Sequence, residues 1–161
     1  VETTEIAKLD EGSFLQVIAK IIEPSYKAVG IDIQKIDPNF GHANIHLLQE
    51  SIFEYEKVRA YLDSLQIWQF DLITSDIAPS TTGMTGVDQY RSIELNLAIL
   101  DVAKVFLKKW WNLVLKVFVW EDVNDLMLPL KENFVKVNRF KPKACRDRSF
   151  EEYFIAMGKK S

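Results

Sequence analysis

Residues 112–119, Asn-Leu-Val-Leu-Lys-Val-Phe-Val, constrain this chain more than any other stretch. The run is almost continuously apolar and rich in β-branched and aromatic residues. That pattern predicts a strand buried on both faces, as strands are inside parallel sheets covered by helices. Parallel neighbours need long crossovers, so helices must lie between the strands. Strand patterns recur at Lys27–Ile33, Asn44–Leu48, Phe70–Asp76, Phe134–Phe140 and Tyr153–Met157. Between them, Phe14–Ile22, the face made by Tyr55, Val58, Leu62 and Leu65, Val87–Lys109 and Val123–Glu132 read as helices. The longest carries Ile93, Leu97, Leu100 and Leu107 on one side, and Pro129 is expected to interrupt or bend the last. The prediction is an α/β fold with a mostly parallel sheet, covered on both faces.

Length and composition narrow the class. The 161 residues suffice for one domain with a proper core, so residues 1–161 are expected to form a single domain. No apolar run is long enough to span a bilayer, and the acidic, polar start at Val1–Glu5 does not read as a signal peptide. The lone Cys145 excludes a disulfide framework and favours a reducing, cytoplasmic setting. His42 and His46 read as surface residues at a turn entering a strand, so no metal site is expected. The net charge of −3 argues against strong non-specific nucleic-acid binding. Even so, Lys131–Arg148 is locally basic, which fits either a solvated strand and loop or a phosphate-binding rim.

Open sheets of this kind bind ligands beyond the carboxyl ends of their strands. Two strands end there in acids. Asp32 closes one, after the turn-to-helix segment Gly12-Ser13-Phe14, and could accept hydrogen bonds from the ribose of a nucleoside cofactor. Asp76 closes another and leads into Ile77–Gly86, a Pro-, Thr- and Gly-containing loop. Lys116 lies within the most apolar strand, where an ammonium is costly unless it escapes or is paired. Such a lysine either serves as a base or packs its stem and sends its charge to the strand end. Glu151, beside Glu152, opens the last strand.

In order along the chain, these segments resemble the FtsJ (RrmJ) type of ribose 2′-O-methyltransferase. Ser75-Asp76-Ile77-Ala78-Pro79 matches the SDxAP signature of that family. Leu115-Lys116-Val117-Phe118 is similar to its VKVF strand, and Lys141–Tyr153 to its KPxxSRxxSxExY segment. Gly30-Ile31-Asp32 with Asp37-Pro38 resembles the ribose-binding strand and turn, Leu48-Gln49 the approach to the adenine pocket, and Lys8-Leu9-Asp10-Glu11 the KLDE stretch with the first catalytic lysine. The resemblance implies a Rossmann-like class I methyltransferase fold with an antiparallel last strand. It implies S-adenosyl-L-methionine as cofactor and RNA as partner, either ribosomal RNA or a ribosomal subunit, with no membrane partner and a monomeric protein. The implied catalytic set is Lys8, Asp76, Lys116 and Glu151. Lys116 accepts or steers the hydroxyl proton, Asp76 and Glu151 position the lysines and the hydroxyl, and Lys8 acts on Lys116 through like charge. Gly12, Ser13, Phe14, Asp32, Ile33, Ser51, Ile52, Asp76 and Pro79 are implied for the cofactor, and Lys141, Lys143, Arg146 and Arg148 for RNA.

The chain departs from the family in three places. Members place a central strand and a DLGxxPGG turn after the first lysine motif, whereas here Lys8–Glu11 runs straight into Gly12. Either a segment is missing between Glu11 and Gly12, or residues 5–12 are a shortened strand and turn, with Asp10 as strand-end acid and Lys8 no longer catalytic. Ser51 stands where an acid usually meets the adenine. Trp110-Trp111 and Trp120 occupy usual glycine positions, although glycine permits positive φ and tryptophan resists it. These departures keep a second reading open, a catalytically impaired or engineered scaffold or RNA-binding version of the fold. Cofactor binding by this chain is expected to be weak or absent.

Overall fold

The computed structural model describes residues 4–7, 14–34, 43–80, 82–120, 123–141 and 150–161. In chain order these form β1 (Thr4–Ala7), α1 (Phe14–Ile21), β2 (Lys27–Asp32), β3 (Ile45–Gln49), α2 (Tyr55–Ser64), β4 (Phe70–Ser75), α3 (Thr85–Phe106), β5 (Leu107–Phe118), α4 (Asn124–Asn133), β6 (Phe134–Phe140) and β7 (Glu151–Lys159). The strands make one sheet in the order β3-β2-β1-β4-β5-β7-β6. Pairing is parallel from β3 through β5, and only β7 runs against its neighbours. The reversed last strand is therefore as expected, inserted between β5 and β6.

Alternation along β2 shows how the layers form. Ala28 packs with Leu15 and Ile18 of α1 on one face. Val29 and Ile31 point the other way, into the main core with Val58 and Leu62 of α2, Leu100 and Phe106 of α3, and Leu126 and Leu130 of α4. Each fully buried side chain of this size contributes about 1.5–3 kcal/mol. In β5, Leu113, Leu115 and Val117 join that core, while Val114, Lys116 and Phe118 are only half-buried. The expectation that this strand is buried on both faces is thus corrected, since one of its faces is partly open. No helix among the described residues is long and apolar enough to cross a membrane.

β1 falls upstream of Lys8, at the centre of the sheet between β2 and β4. Lys8 and the junction between Glu11 and Gly12 lie outside the described residues.

The passage from α3 to β5 differs from the expected helix to Lys109. The helix stops at Phe106, and Leu107 already pairs with Phe70. No glycine cap ends it. Instead, Lys159, from the far end of the chain, donates from Nζ to the carbonyls of Lys104 and Leu107 at 2.6 and 2.7 Å. A cation there also suits the negative end of the helix dipole. Burial pushes the Lys159 pKa down.

The β4–β5 register then shifts between Phe70–Leu107 and Leu72–Asn112, so extra β5 residues bulge out. Trp110 sits in that bulge at φ 72°, the left-handed conformation for which the family's glycines are suited. Lys108 anchors the bulge through a 2.8 Å salt bridge to the fully buried Asp71, and the Lys109 ammonium lies 5.3 Å from the Trp110 ring centre. α4 continues through Pro129 without interruption.

A tryptophan in the left-handed region costs about 1–2 kcal/mol relative to glycine. Trp110→Gly is therefore expected to hold stability level or raise it by about 1 kcal/mol in urea denaturation, despite the lost contact with Lys109. A drop of 1 kcal/mol or more would show that the indole stabilises the bulge by more than its backbone strain costs.

Candidate active site

The carboxyl ends of β2, β4 and β5 and the amino end of β7 share one edge of the sheet. Asp32 ends β2 with 3% of its surface exposed. Its Oδ1 accepts the Gln34 N–H at 2.8 Å, while Oδ2 is buried with no hydrogen-bond partner among the described residues. A buried acceptor left open is unusual and calls for a donor. Asp32 lines a cavity of about 290 Å³ with Ile31, Ile33, Ile52 and Phe53, with Ile77–Ser80 of the loop after β4, and with Leu95, Ile99 and Val102 of α3. Apolar walls around one unsatisfied carboxylate suit a nucleoside, the purine against the walls and the ribose hydroxyls at Asp32. Of the implied cofactor residues, Asp32, Ile33, Ser51, Ile52 and Pro79 meet here. Gly12 and Ser13 lie outside the described residues, and Phe14 begins α1.

Glu50 also lines this cavity and was not anticipated. Its carboxylate accepts the Ser51 N–H at 2.9 Å and meets the Lys57 ammonium at 3.0 Å, and these bonds hold its pKa below the usual carboxylate range. Ser51 itself uses Oγ to accept the Phe53 N–H at 3.3 Å. Sequence offered little to single out Glu50, because its use depends on how the β3–α2 turn folds.

The proposed reacting groups sit farther along the same edge. β4 and β5 stay in register to Ser75–Leu115, so the next residues, Asp76 and Lys116, emerge side by side on strands about 5 Å apart. Across the antiparallel pair, Lys116 faces Tyr153 and Phe118 faces Glu151. Alternation therefore puts Lys116, Phe118, Tyr153 and Glu151 on one face of the sheet. Lys141 is exposed just after β6, whereas Lys8, Lys143, Arg146 and Arg148 lie outside the described residues.

Where β4 stops, α3 takes over. Asn96 Nδ2 donates to the Lys116 carbonyl at 3.0 Å, and Ser92 Oγ accepts the Phe118 N–H at 3.0 Å. Gln89 Oε1 accepts the Trp120 N–H. All three side chains are buried. The stripe is visible in the sequence at positions i, i+3 and i+7 of a helix, but polar residues at that spacing usually mark a solvated face. Asp88 closes the loop before α3, accepting from the Thr82 N–H and hydroxyl at 2.8 Å each and from the Gly83 N–H at 3.2 Å. Chiefly the Thr82 N–H holds the Asp88 pKa below its usual value.

Asn96→Ala leaves the Lys116 carbonyl without its donor and is expected to cost about 1–3 kcal/mol in urea denaturation. A loss under 0.5 kcal/mol, on the order of a surface substitution, would mean that the clamp on β5 is dispensable. Asp88 gives a pH signature. A carboxyl whose folded pKa is depressed stabilises the fold above its unfolded value near 3.9, and that contribution is lost as pH falls through the folded pKa. Asp88→Asn should therefore lower stability at neutral pH and flatten its fall below about pH 4. Unchanged acid limbs would count against the tether.

Comparison with known proteins places this geometry. The FtsJ-like methyltransferase family profile matches residues 10–159. Ribosomal RNA large subunit methyltransferase E of Nitratidesulfovibrio vulgaris is 36% identical over 148 residues, covering 91% of this chain and 71% of that protein. The protein of the same name from Chromobacterium violaceum is 34% identical over 149 residues, covering 92% and 71%. Among solved structures, a ribosomal RNA methyltransferase from Plasmodium falciparum superposes with a TM-score of 0.81 at 25% identity, covering 98% of this chain and 86% of that one. Fibrillarin from Methanococcus jannaschii, at 14% identity and a TM-score of 0.60 over 99% of this chain and 68% of its own, shares the Rossmann-like fold. With its profile matched almost end to end and its strands in this order, the chain belongs to the FtsJ-like methyltransferase family.

Proposed function

We propose that this chain transfers a methyl group from S-adenosyl-L-methionine to a ribose 2′-hydroxyl of RNA, with large-subunit ribosomal RNA as substrate. The observation that carries the reading is the placement of the Asp32 cavity and the Asp76–Lys116–Glu151 rim on one edge of the sheet. The names of the curated relatives supply the substrate class. Neither the family match nor those relatives favour a non-catalytic scaffold.

The residues present fit the nucleoside half of the cofactor. Asp32 would take the ribose hydroxyls through its open Oδ2, and Ile33, Ile52 and Pro79 would enclose the purine beside Ser51. When bound, the cofactor supplies an electrophilic methyl group. The chain's own part is to present a hydroxyl to it. Lys116 holds or takes the hydroxyl proton, Asp76 fixes the lysine from the neighbouring strand, and Glu151 orients the hydroxyl from the other side. Lys141, Lys143, Arg146 and Arg148 bind phosphates of the RNA.

We further infer that residues 5–12 correspond to the family's DLGxxPGG segment without a deletion. With Gly12 on the last glycine of that pattern, Glu5 falls on its acid, Ala7 on its first glycine, Asp10 on its proline and Glu11 on its other glycine, an alignment in which Lys8 does not match the family's first catalytic lysine. The reading includes a monomer in a reducing, cytoplasmic compartment, forming one domain.

Transfer of labelled methyl groups to ribosomal RNA tests the proposal. Lys116→Ala should lower the rate by about 10²–10⁴-fold, the usual share of a positioned acid–base group, with S-adenosylmethionine affinity in calorimetry unchanged. Asp32→Asn should do the reverse, weakening cofactor affinity about tenfold or more, as expected for bonds to a charged partner. A Lys116→Ala variant that methylates normally would remove that residue from the mechanism. A wild-type protein that binds no S-adenosylmethionine would overturn the whole reading.

A further inference from the structure

Trp120 and Phe150 form an aromatic pair just beyond the end of β5 and the start of β7. Their ring centres are 4.4 Å apart at 76°, edge to face, and they remain 48% and 41% exposed. Such a pair leaves further ring surface open, a costly arrangement beside water. The backbone holds it firmly. The Trp120 N–H is donated to buried Gln89, and the Val119 N–H to the Phe150 carbonyl at 2.7 Å. Trp120 is not among the residues with positive φ, so unlike Trp110 it fills a usual glycine position without backbone strain.

We propose that Trp120 and Phe150 are the stacking seat for a nucleobase of single-stranded RNA next to the ribose being modified. The proposal rests on the RNA methyltransferase reading and adds a base-binding subsite to it. Trp120 lies four residues beyond Lys116, and Phe150 immediately precedes Glu151, so the pair sits at the same end of β5 and β7 as the proposed reacting groups. Phe150 also ends the basic segment that starts at Lys141, which matches a ligand with a flat apolar face and an anionic backbone. The aromatic pair takes the base. Stacking of this kind tolerates every base, because each has a π-face.

The test is fluorescence anisotropy with two labelled probes, a single-stranded oligouridylate and an abasic ribose-phosphate strand of the same length. Wild-type protein is expected to bind the oligouridylate about five- to a hundredfold tighter than the abasic strand, the range of one or two stacked bases. Trp120→Leu, which keeps apolar bulk without the indole, should bring the oligouridylate down to the abasic level. Its affinity for the abasic strand and for S-adenosylhomocysteine should stay at the wild-type value, and Trp120→Phe should restore part of the preference. Trp120→Leu binding oligouridylate as tightly as wild type overturns the proposal alone. Equal weakening toward both strands also overturns it, because the tryptophan would then be shaping the protein. If wild-type protein binds neither strand, the RNA reading itself fails and the subsite with it.

Discussion

The end of β5 depends on hydrogen bonds from a helix. From Leu113 to Leu115 this strand lies between β4 and β7, with ordinary partners on both edges. Beyond that point β4 has ended, and the Lys116 carbonyl and the Phe118 and Trp120 N–H groups would face an empty edge. Leaving such groups buried and unpaired costs on the order of 1–3 kcal/mol each. Asn96, Ser92 and Gln89 of α3 satisfy them in turn, running along the strand as a substitute for β4. This frees the chain after Ser75 to turn away from the sheet. The opening between the β4 and β5 ends, where Asp76 and Lys116 emerge, exists because a helix completes the ladder that a strand abandons.

A second group of interactions compensates for local sequence that would otherwise resist the fold. The bulge at Lys108–Trp111 uses a residue that disfavours left-handed backbone, and the Asp71–Lys108 pair fixes it to a fully buried carboxylate. The α3 terminus lacks a glycine cap and is closed by Lys159 from β7. Both devices tie β5 to distant parts of the chain. Departures from the family's glycines are therefore met by long-range contacts, and the sheet order survives them.

These features separate what could be read in the sequence from what could not. Apolar runs ending in acids gave β2 and β4 to within a residue, because burial on two faces and an abrupt charge leave few alternatives. Lys116 was conspicuous for a related reason, a charge inside an apolar run, although its face of the strand proved half-open. The α3–β5 boundary was misplaced because Leu107 fits a helical face and a strand equally well, and its capping partner lies 52 residues away. Gln89, Ser92 and Asn96 escaped notice because a polar stripe on a helix is ordinarily a wet one.

The loop after β4 is where the two halves of the site become one. Asp76, its first residue, belongs to the rim with Lys116, while the next four, Ile77–Ser80, wall the Asp32 cavity. The loop is tied at both ends. At its start the Ile77 N–H is donated to Ser75 Oγ at 3.3 Å, and at its close Asp88 gathers the Thr82 and Gly83 amides. A ligand filling the cavity presses against a segment that cannot shift freely at either anchor. Contact with Ile77 and Pro79 must then bear on the position of Asp76 as well. The same five-residue stretch, Asp76–Ser80, thus both walls the Asp32 cavity and carries the residue that follows the Ser75–Leu115 pair, so a ligand bound in the cavity would act on the position of Asp76.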